Sequence, residues 1–366
     1  REGAGKRATP TATGRMDASV SGAGGASGGL SKEEDEMYDR QIRVWGIDTQ
    51  CAIRSTRVGV VIISSSQPAE GEGGEGAAMS GKQEVVAAEF VKNLALAGIG
   101  AISIRFVTPG EEEPPPANLS FLGQSPDEIK GNLTDMNPRM AVSVSVEPRG
   151  GASNDGDDVT VVFGRNLMSM CHFLDGHQRG WAKGAGEKQK HLFAASVRGG
   201  CGFAFRHTED GGGLSDALKA PKECIPKKVN RLYSVLRCIY SFGCKHRSSP
   251  KPTASDVKAL LALGVQELAS PKQQPSEALL LNYLETDAEM AAVSSIVGGS
   301  LAQEVIKAIS GKGALMDNFY LFSAYGSPDS GEAKVERVTS QAPTKSKSTA
   351  STNNGNNNTN QEAICI

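Results

Sequence analysis

The run Val58-Gly59-Val60-Val61-Ile62-Ile63 sets the tightest limit on how this chain can fold. Side chains alternate across a strand, and here both alternating sets are apolar. Such a strand has to be covered on both faces, as a central parallel strand is by helices. Parallel neighbours need a crossover connection, and the next segment supplies one. Val86, Phe90, Leu94 and Ala97 fall on one helical face, Ser80 and Gln83 form a capping box ahead of them, and Gly98 stops the helix. A strand over 101–107 follows, which completes a right-handed βαβ unit. Further strands are expected at 140–146, 159–163, 191–197, 201–206 and 319–324, with helices at 127–137 and 166–177. The fold class is therefore α/β, Rossmann-like, with a central, mostly parallel sheet.

Boundaries follow from changes in composition and period. Residues 1–30 are rich in Gly, Ala, Ser and Thr and read as a disordered segment. Residues 31–213 form the first part of the α/β domain. From 214 to 287 the period is helical. Val229, Leu232, Leu236 and Ile239 share one face, and the breakers Ser248-Ser249-Pro250-Lys251-Pro252 precede a second helix at 257–268, so this span reads as a small helical insertion. Residues 288–338 return to the domain through a long helix at 288–310, where Gly298 and Gly299 would allow a close backbone approach. The Asn-rich segment 339–366 reads as disordered.

Charge and cysteine usage remove several classes of function. A net charge of -2 over 366 residues supports neither nucleic-acid nor anionic-membrane binding. No apolar run reaches the roughly 18 residues of a membrane span. Seven cysteines, without a Cys-x-x-Cys pair, suit reduced thiols better than a disulfide framework or a zinc site. His172 and His177 stand five apart on a helix, which does not put two metal ligands on one face.

A nucleotide site in this fold class uses a Gly-x-Gly-x-x-Gly turn after the first strand and an acidic residue at the end of the second. Here the first strand runs into Ser64-Ser65-Ser66-Gln67-Pro68 and an acidic glycine stretch to Gly81, read as a flexible insertion. Glu70, Glu72 and Glu75 within it would repel a triphosphate. Lys82 lacks the spacing of a phosphate-loop lysine. The second strand ends in Arg105-Phe106-Val107-Thr108, with the stiff run Glu111-Glu112-Glu113-Pro114-Pro115-Pro116 beyond it. No nucleotide cofactor is expected in this chain, and no cysteine has a recognisable activating partner.

A helix is expected from Ser31, capped with Glu34, to about Gly46. Read for packing alone, Ile42, Val44 and Trp45 would face a core. Its wording, Tyr38-Asp39-Arg40-Gln41-Ile42-Arg43-Val44-Trp45-Gly46, resembles the opening signature of the ubiquitin-activating enzyme family. Asn93-Leu94-Ala95-Leu96-Ala97-Gly98, the Asn137-Pro138 turn, the helix from Val297 to Lys307 and Asn318-Phe319-Tyr320-Leu321-Phe322 match further family stretches, in order, over 37–325. In length and layout the chain is similar to the smaller, regulatory subunits of the SUMO-activating branch.

The resemblance implies a ThiF/MoeB-type adenylation domain that works as one half of a heterodimer. ATP and Mg would be held by a larger catalytic subunit that also carries the reactive cysteine, and the modifier would be SUMO. The setting would be the nucleus, with the cytoplasm as a second location. It also implies one catalytic residue, Arg40, reaching in trans to the partner-bound ATP. Arg43 is the internal rival, unless an ion pair with Asp39 or Asp48 engages it. The alternatives are activation of another ubiquitin-like modifier, a self-sufficient sulfur-carrier adenylyltransferase, and a non-catalytic scaffold.

Overall fold

The structure is a computed structural model that describes residues 30–63, 84–108, 118–148, 156–177, 190–208, 212–286, 288–324 and 334–336. The expected insertion at 64–81, Ser80, Lys82, Gln83, the run 111–116 and most of both terminal segments lie outside the described residues.

The central sheet has eight strands in the order β3-β2-β1-β4-β5-β6-β7-β8. The middle strand β1 (Arg57–Ile63) pairs in parallel with β2 (Ala101–Thr108) on one side and β4 (Val159–Gly164) on the other. Outside them, β3 (Ala141–Pro148) and β5 (His191–Arg198) are also parallel. This 3-2-1-4-5 order reverses direction between β1 and β4, the place where sheets of this kind form a crevice at their carboxyl ends. The remaining strands, β6 (Cys201–Arg206), β7 (Phe319–Ser323) and β8 (Lys334–Glu336), are antiparallel. Only Gly199 and Gly200 separate β5 from β6, too few residues for a crossover, so the chain must turn back.

Both faces of β1 are covered, as its sequence requires. Val58, Val60 and Ile62 join one core with α4 (Val85–Ala97), α5 (Pro126–Met136) and α11 (Ala291–Ser310). Val61 and Ile63 join the other, with α6 (Leu167–His177), α7 (Leu214–Leu218), α8 (Arg231–His246), α9 (Ala254–Glu267) and α10 (Glu277–Glu285). The helical span expected at 214–287 thus packs, together with α6, on one face of the sheet. Tyr233 of α8 meets Phe319 of β7 edge-on, with ring centroids 5.5 Å apart.

Helix α11 lies against α4 because of Gly298, where a Cβ would come within 2.9 Å of the Val86 carbonyl oxygen. A Cβ on Gly299 would meet nothing within 4 Å, so only one of the two glycines serves a close approach. The helix starts at 291 rather than 288 because the backbone before it pairs with Gly199: Gly199 donates to the Ala288 carbonyl at 2.9 Å, and Met290 donates to Gly199 at 3.2 Å.

The signature segment departs from expectation in two ways. It is broken at Tyr38 into α1 (Lys32–Met37) and α2 (Asp39–Trp45), while the stop at Gly46 is where the sequence places it, and α3 (Ile47–Ser55) follows. Nor does the stripe Ile42, Val44 and Trp45 face a core as a whole: α2 fully buries none of its residues and Val44 is 62% exposed, and of the three Trp45 packs, partly buried, against the core that holds Val58. The buried residue is Tyr38, at the break.

Candidate functional site

A helix ends with carbonyls that lack intrahelical partners. At the end of α4 these carbonyls draw together three stretches far apart in sequence. Gly98 closes the helix at φ 87, and its N–H donates to Ala95. The Asn137 amide donates to the same Ala95 carbonyl at 3.1 Å, the Gln41 amide to Leu96 at 3.2 Å, and the Gln50 amide to Ala97 at 2.9 Å. Gly98 is also the seat of the signature segment, since a Cβ there would come within 2.7 Å of the Tyr38 ring and 2.8 Å of the Gln50 amide. The separated motifs therefore converge on one platform.

Polar contacts hold α1 and α2 on that platform. Ser31 and Glu34 form the expected capping box, and the Ser31 N–H donates to Glu34 at 2.8 Å. The Glu34 carboxylate is buried and meets Arg54 at 2.9 Å and Arg139 at 3.4 Å. Burial opposes its charge, but the Ser31 bond and the two guanidinium groups outweigh burial and hold its pKa below the ordinary value. Arg139 also donates to the Ser31 hydroxyl and to Glu33, both at 2.7 Å. At the other end of α2, the Trp45 indole donates to Gln50 at 3.0 Å and Lys312 donates to the Trp45 carbonyl at 2.6 Å. Sequence reading missed Gln50, Arg139 and Lys312, because their partners lie 47 to 267 positions away.

Arg40 and Arg43 are sorted by their surroundings. Arg43 pairs with Asp39 at 3.0 Å, the first of the two acids expected for it. Arg40 is exposed and makes no hydrogen bond or ion pair among the described residues. It shares one face of α2 with Val44, four residues on. Met37, three residues before it, and Val44 are each 62% exposed, and Ile47 and Leu96 are also at least half exposed.

The platform lies at the amino ends of the parallel strands, for α4 leads directly into the start of β2. The crevice at the carboxyl ends is the full length of α4 away, about 20 Å for thirteen residues at 1.5 Å each. Arg40 is therefore at the wrong end of its own sheet to touch anything bound there.

At the far end, the crevice side of α4 is occupied from within. Glu289 accepts from the Val86 N–H at 2.6 Å and from the Ser294 hydroxyl at 2.8 Å. The positive end of α4 thus receives a carboxylate of this chain, where a nucleotide-binding relative of the fold would place a phosphate. Arg165, which directly follows β4, is buried against Glu84 at 3.3 Å and Glu289 at 3.7 Å. Burial pushes the Glu84 carboxyl up to about 8, with Arg165 opposing and Glu289 adding to the rise. Arg105, read in sequence as standing where a ribose-binding acid would be expected, pairs at 2.9 Å with Asp157 across β1. Gly59 makes room for that pair, since a Cβ there would fall 2.1 Å from the Asp157 carboxylate.

Burial pushes three thiols up, Cys171 and Cys238 to about 12 and Cys201 to about 11, and keeps them protonated and unreactive. Cys51 and Cys224 are partly exposed, Cys244 is exposed, and Cys365 lies outside the described residues. Among the described residues no cluster could hold a metal ion, and no helix is long and apolar enough to cross a membrane.

No family model matches the chain. It is 29% identical over 331 residues to SUMO-activating enzyme subunit 1A of Arabidopsis thaliana, an alignment that covers 80% of this chain and 93% of that protein. SUMO-activating enzyme subunit 1 of Xenopus tropicalis is 27% identical over 353 residues, covering 81% and 95%. The Homo sapiens protein of the same name is 26% identical over 361 residues, covering 81% and 94%. The crystal structure of SeMet PaaA overlays at a TM-score of 0.45 with 13% identity, over 87% of this chain and 78% of that one, too loosely to argue from. Over about 80% of its length this chain is thus similar to SUMO-activating enzyme subunit 1 proteins of plant and animal origin, and three of the stretches that resemble the ubiquitin-activating enzyme family meet at the end of α4.

Proposed function

We propose that the chain is the regulatory subunit of a heterodimeric SUMO-activating enzyme and supplies Arg40 in trans to ATP bound by a larger catalytic subunit. The observation that carries this reading is the position of Arg40: exposed, uncommitted among the described residues, and a helix length away from its own crevice. Exposed Met37 and Val44, three residues before it and four after, suit a surface covered by a partner.

In the proposed reaction the C-terminal carboxylate of SUMO attacks the α-phosphate of ATP, forming an acyl-adenylate and releasing pyrophosphate. A cysteine thiolate of the partner then attacks the acyl carbon, forming a thioester and releasing AMP. Negative charge grows on the departing pyrophosphate, and a fixed planar guanidinium is suited to stabilise it. ATP and Mg belong to the partner in this scheme. Two observations support that division: Glu289 fills the helix end where phosphates would sit, and three of this chain's thiols are held protonated by burial. The isolated chain is accordingly inactive and none of its cysteines carries the modifier. It engages neither nucleic acid nor membrane, and it works in the nucleus and in part in the cytoplasm. Internal occupation of the helix end also argues against a self-sufficient sulfur-carrier adenylyltransferase.

The test is ATP–pyrophosphate exchange by the reconstituted pair. Arg40→Ala should slow exchange roughly 10- to 1,000-fold, less than the best trans arginines achieve in γ-phosphoryl transfer. Heterodimer content, checked on the same samples, should be unchanged, and Arg40→Lys should restore only part of the rate. Exchange at the wild-type rate in Arg40→Ala would sink the assignment.

A further inference from the structure

Helix α2 has seven residues and buries none of them. A helix this short does not persist by itself, and burial anchors it only at its two ends, through Tyr38 at its N-cap and the half-buried Trp45 against the core. Polar latches on either side add to that hold. On the amino side Arg139 grips α1, which runs directly into α2, at Ser31 and Glu33 at 2.7 Å and at Glu34 at 3.4 Å. At the carboxyl end Gln50 accepts from the Trp45 indole at 3.0 Å and donates to the α4 carbonyl of Ala97 at 2.9 Å. Both latches reach the same support. Asn137, two residues before Arg139, is itself bound to the Ala95 carbonyl of α4. The Arg40 side chain has no partner of its own among the described residues, so the backbone of α2 decides where its guanidinium points.

We propose that Arg139 and Gln50 are positioning residues for Arg40, adding hydrogen bonds to a helix that burial fixes only at Tyr38 and Trp45. This rests on the trans role of Arg40 given above. A guanidinium on an unlatched helix samples many placements, and misplacement by about 1 Å can cost as much as 100-fold in rate.

The test is a set of double-mutant cycles on the reconstituted heterodimer. Arg139→Ala and Gln50→Ala are each measured in the wild-type and Arg40→Ala backgrounds by ATP–pyrophosphate exchange. Each latch variant should slow exchange roughly 10-fold in the wild-type background and add nothing once Arg40 is gone. Arg139→Lys, which keeps the charge but loses the planar fork, should fall between Arg139→Ala and wild type. Losses that multiply in the Arg40→Ala background would mean general damage and overturn the proposal. Wild-type exchange in both latch variants, with Arg40→Ala still slow, would overturn the latch alone. Wild-type exchange in Arg40→Ala would remove the reading it rests on and the latch together. Acrylamide quenching supplies a second readout in a Trp181→Phe background, where Trp45 is the one remaining tryptophan. Arg139→Ala should make Trp45 clearly easier to quench, and unchanged quenching would count against the latch even if a variant assembled poorly.

Discussion

Two arginines at opposite ends of the same sheet have opposite fates. Arg165 follows β4 at the carboxyl edge, is buried, and is surrounded by Glu84 and Glu289. Arg40 stands at the amino edge, in water, on a helix tied down by its neighbours rather than by itself. A buried cation must be neutralised because desolvation is costly, whereas an exposed one can stay uncommitted until a partner covers it. The difference indicates that one end of the molecule is spent on stability and the other is held ready for contact.

Variants can break that comparison. The largest effect is expected from Glu289→Ala, which uncaps α4, frees the Ser294 hydroxyl and removes one of the carboxylates beside Arg165. A loss of about 3 kcal/mol should appear in urea denaturation of the isolated chain. A loss below about 1 kcal/mol would mean that the carboxyl-edge cluster is not structural. Next comes Gly98→Ala, which puts a Cβ against Tyr38 in a left-handed conformation. The conformation alone costs about 1–2 kcal/mol, and the clash should also loosen the signature segment. Hydrogen exchange in 31–46 should rise, and unchanged protection there would separate Gly98 from the platform.

The carboxyl edge should also carry a pH signature. Folded Glu84 keeps its proton to about pH 8, whereas the unfolded side chain releases it near its ordinary value of 4.5. Its contribution to stability is complete below the unfolded value and is lost as pH rises through about 8. Between those limits this group lowers unfolding free energy with rising pH, by at most about 1.4 kcal/mol per unit. Glu84→Gln should flatten the slope over pH 6–8, and an unchanged slope would assign it to other groups. The smallest effect is expected from Arg40→Ala on stability, within about 0.5 kcal/mol, even though the same variant should slow exchange most. A large loss of stability there would erase the contrast between the two arginines.

Much of this organisation was legible in local chemistry. The two-sided apolar run of β1, the Ser31–Glu34 box and the stop at Gly98 each depend on residues a few positions apart, and each is where the sequence places it. The words around Arg40 and Asn137 also indicated a family before any contact was known.

Which way α2 faces was not legible. Ile42, Val44 and Trp45 read as one buried stripe, but only Trp45 packs against the core, Val44 is turned outward, and Tyr38 and amides bound to α4 carbonyls complete the contact of the segment with α4. The choice between Arg40 and Arg43 could not be made from sequence either, because both stand near acids and only the folded geometry pairs one of them. Glu289 is the extreme case, a helix cap delivered from 203 residues away. Sequence by itself determined the elements, because period, caps and stops act within a few residues of chain. Tertiary structure alone decided which polar groups are spent and which stay free, because hydrogen bonds and ion pairs depend on distance in space, and folding sets that distance without regard to position along the chain.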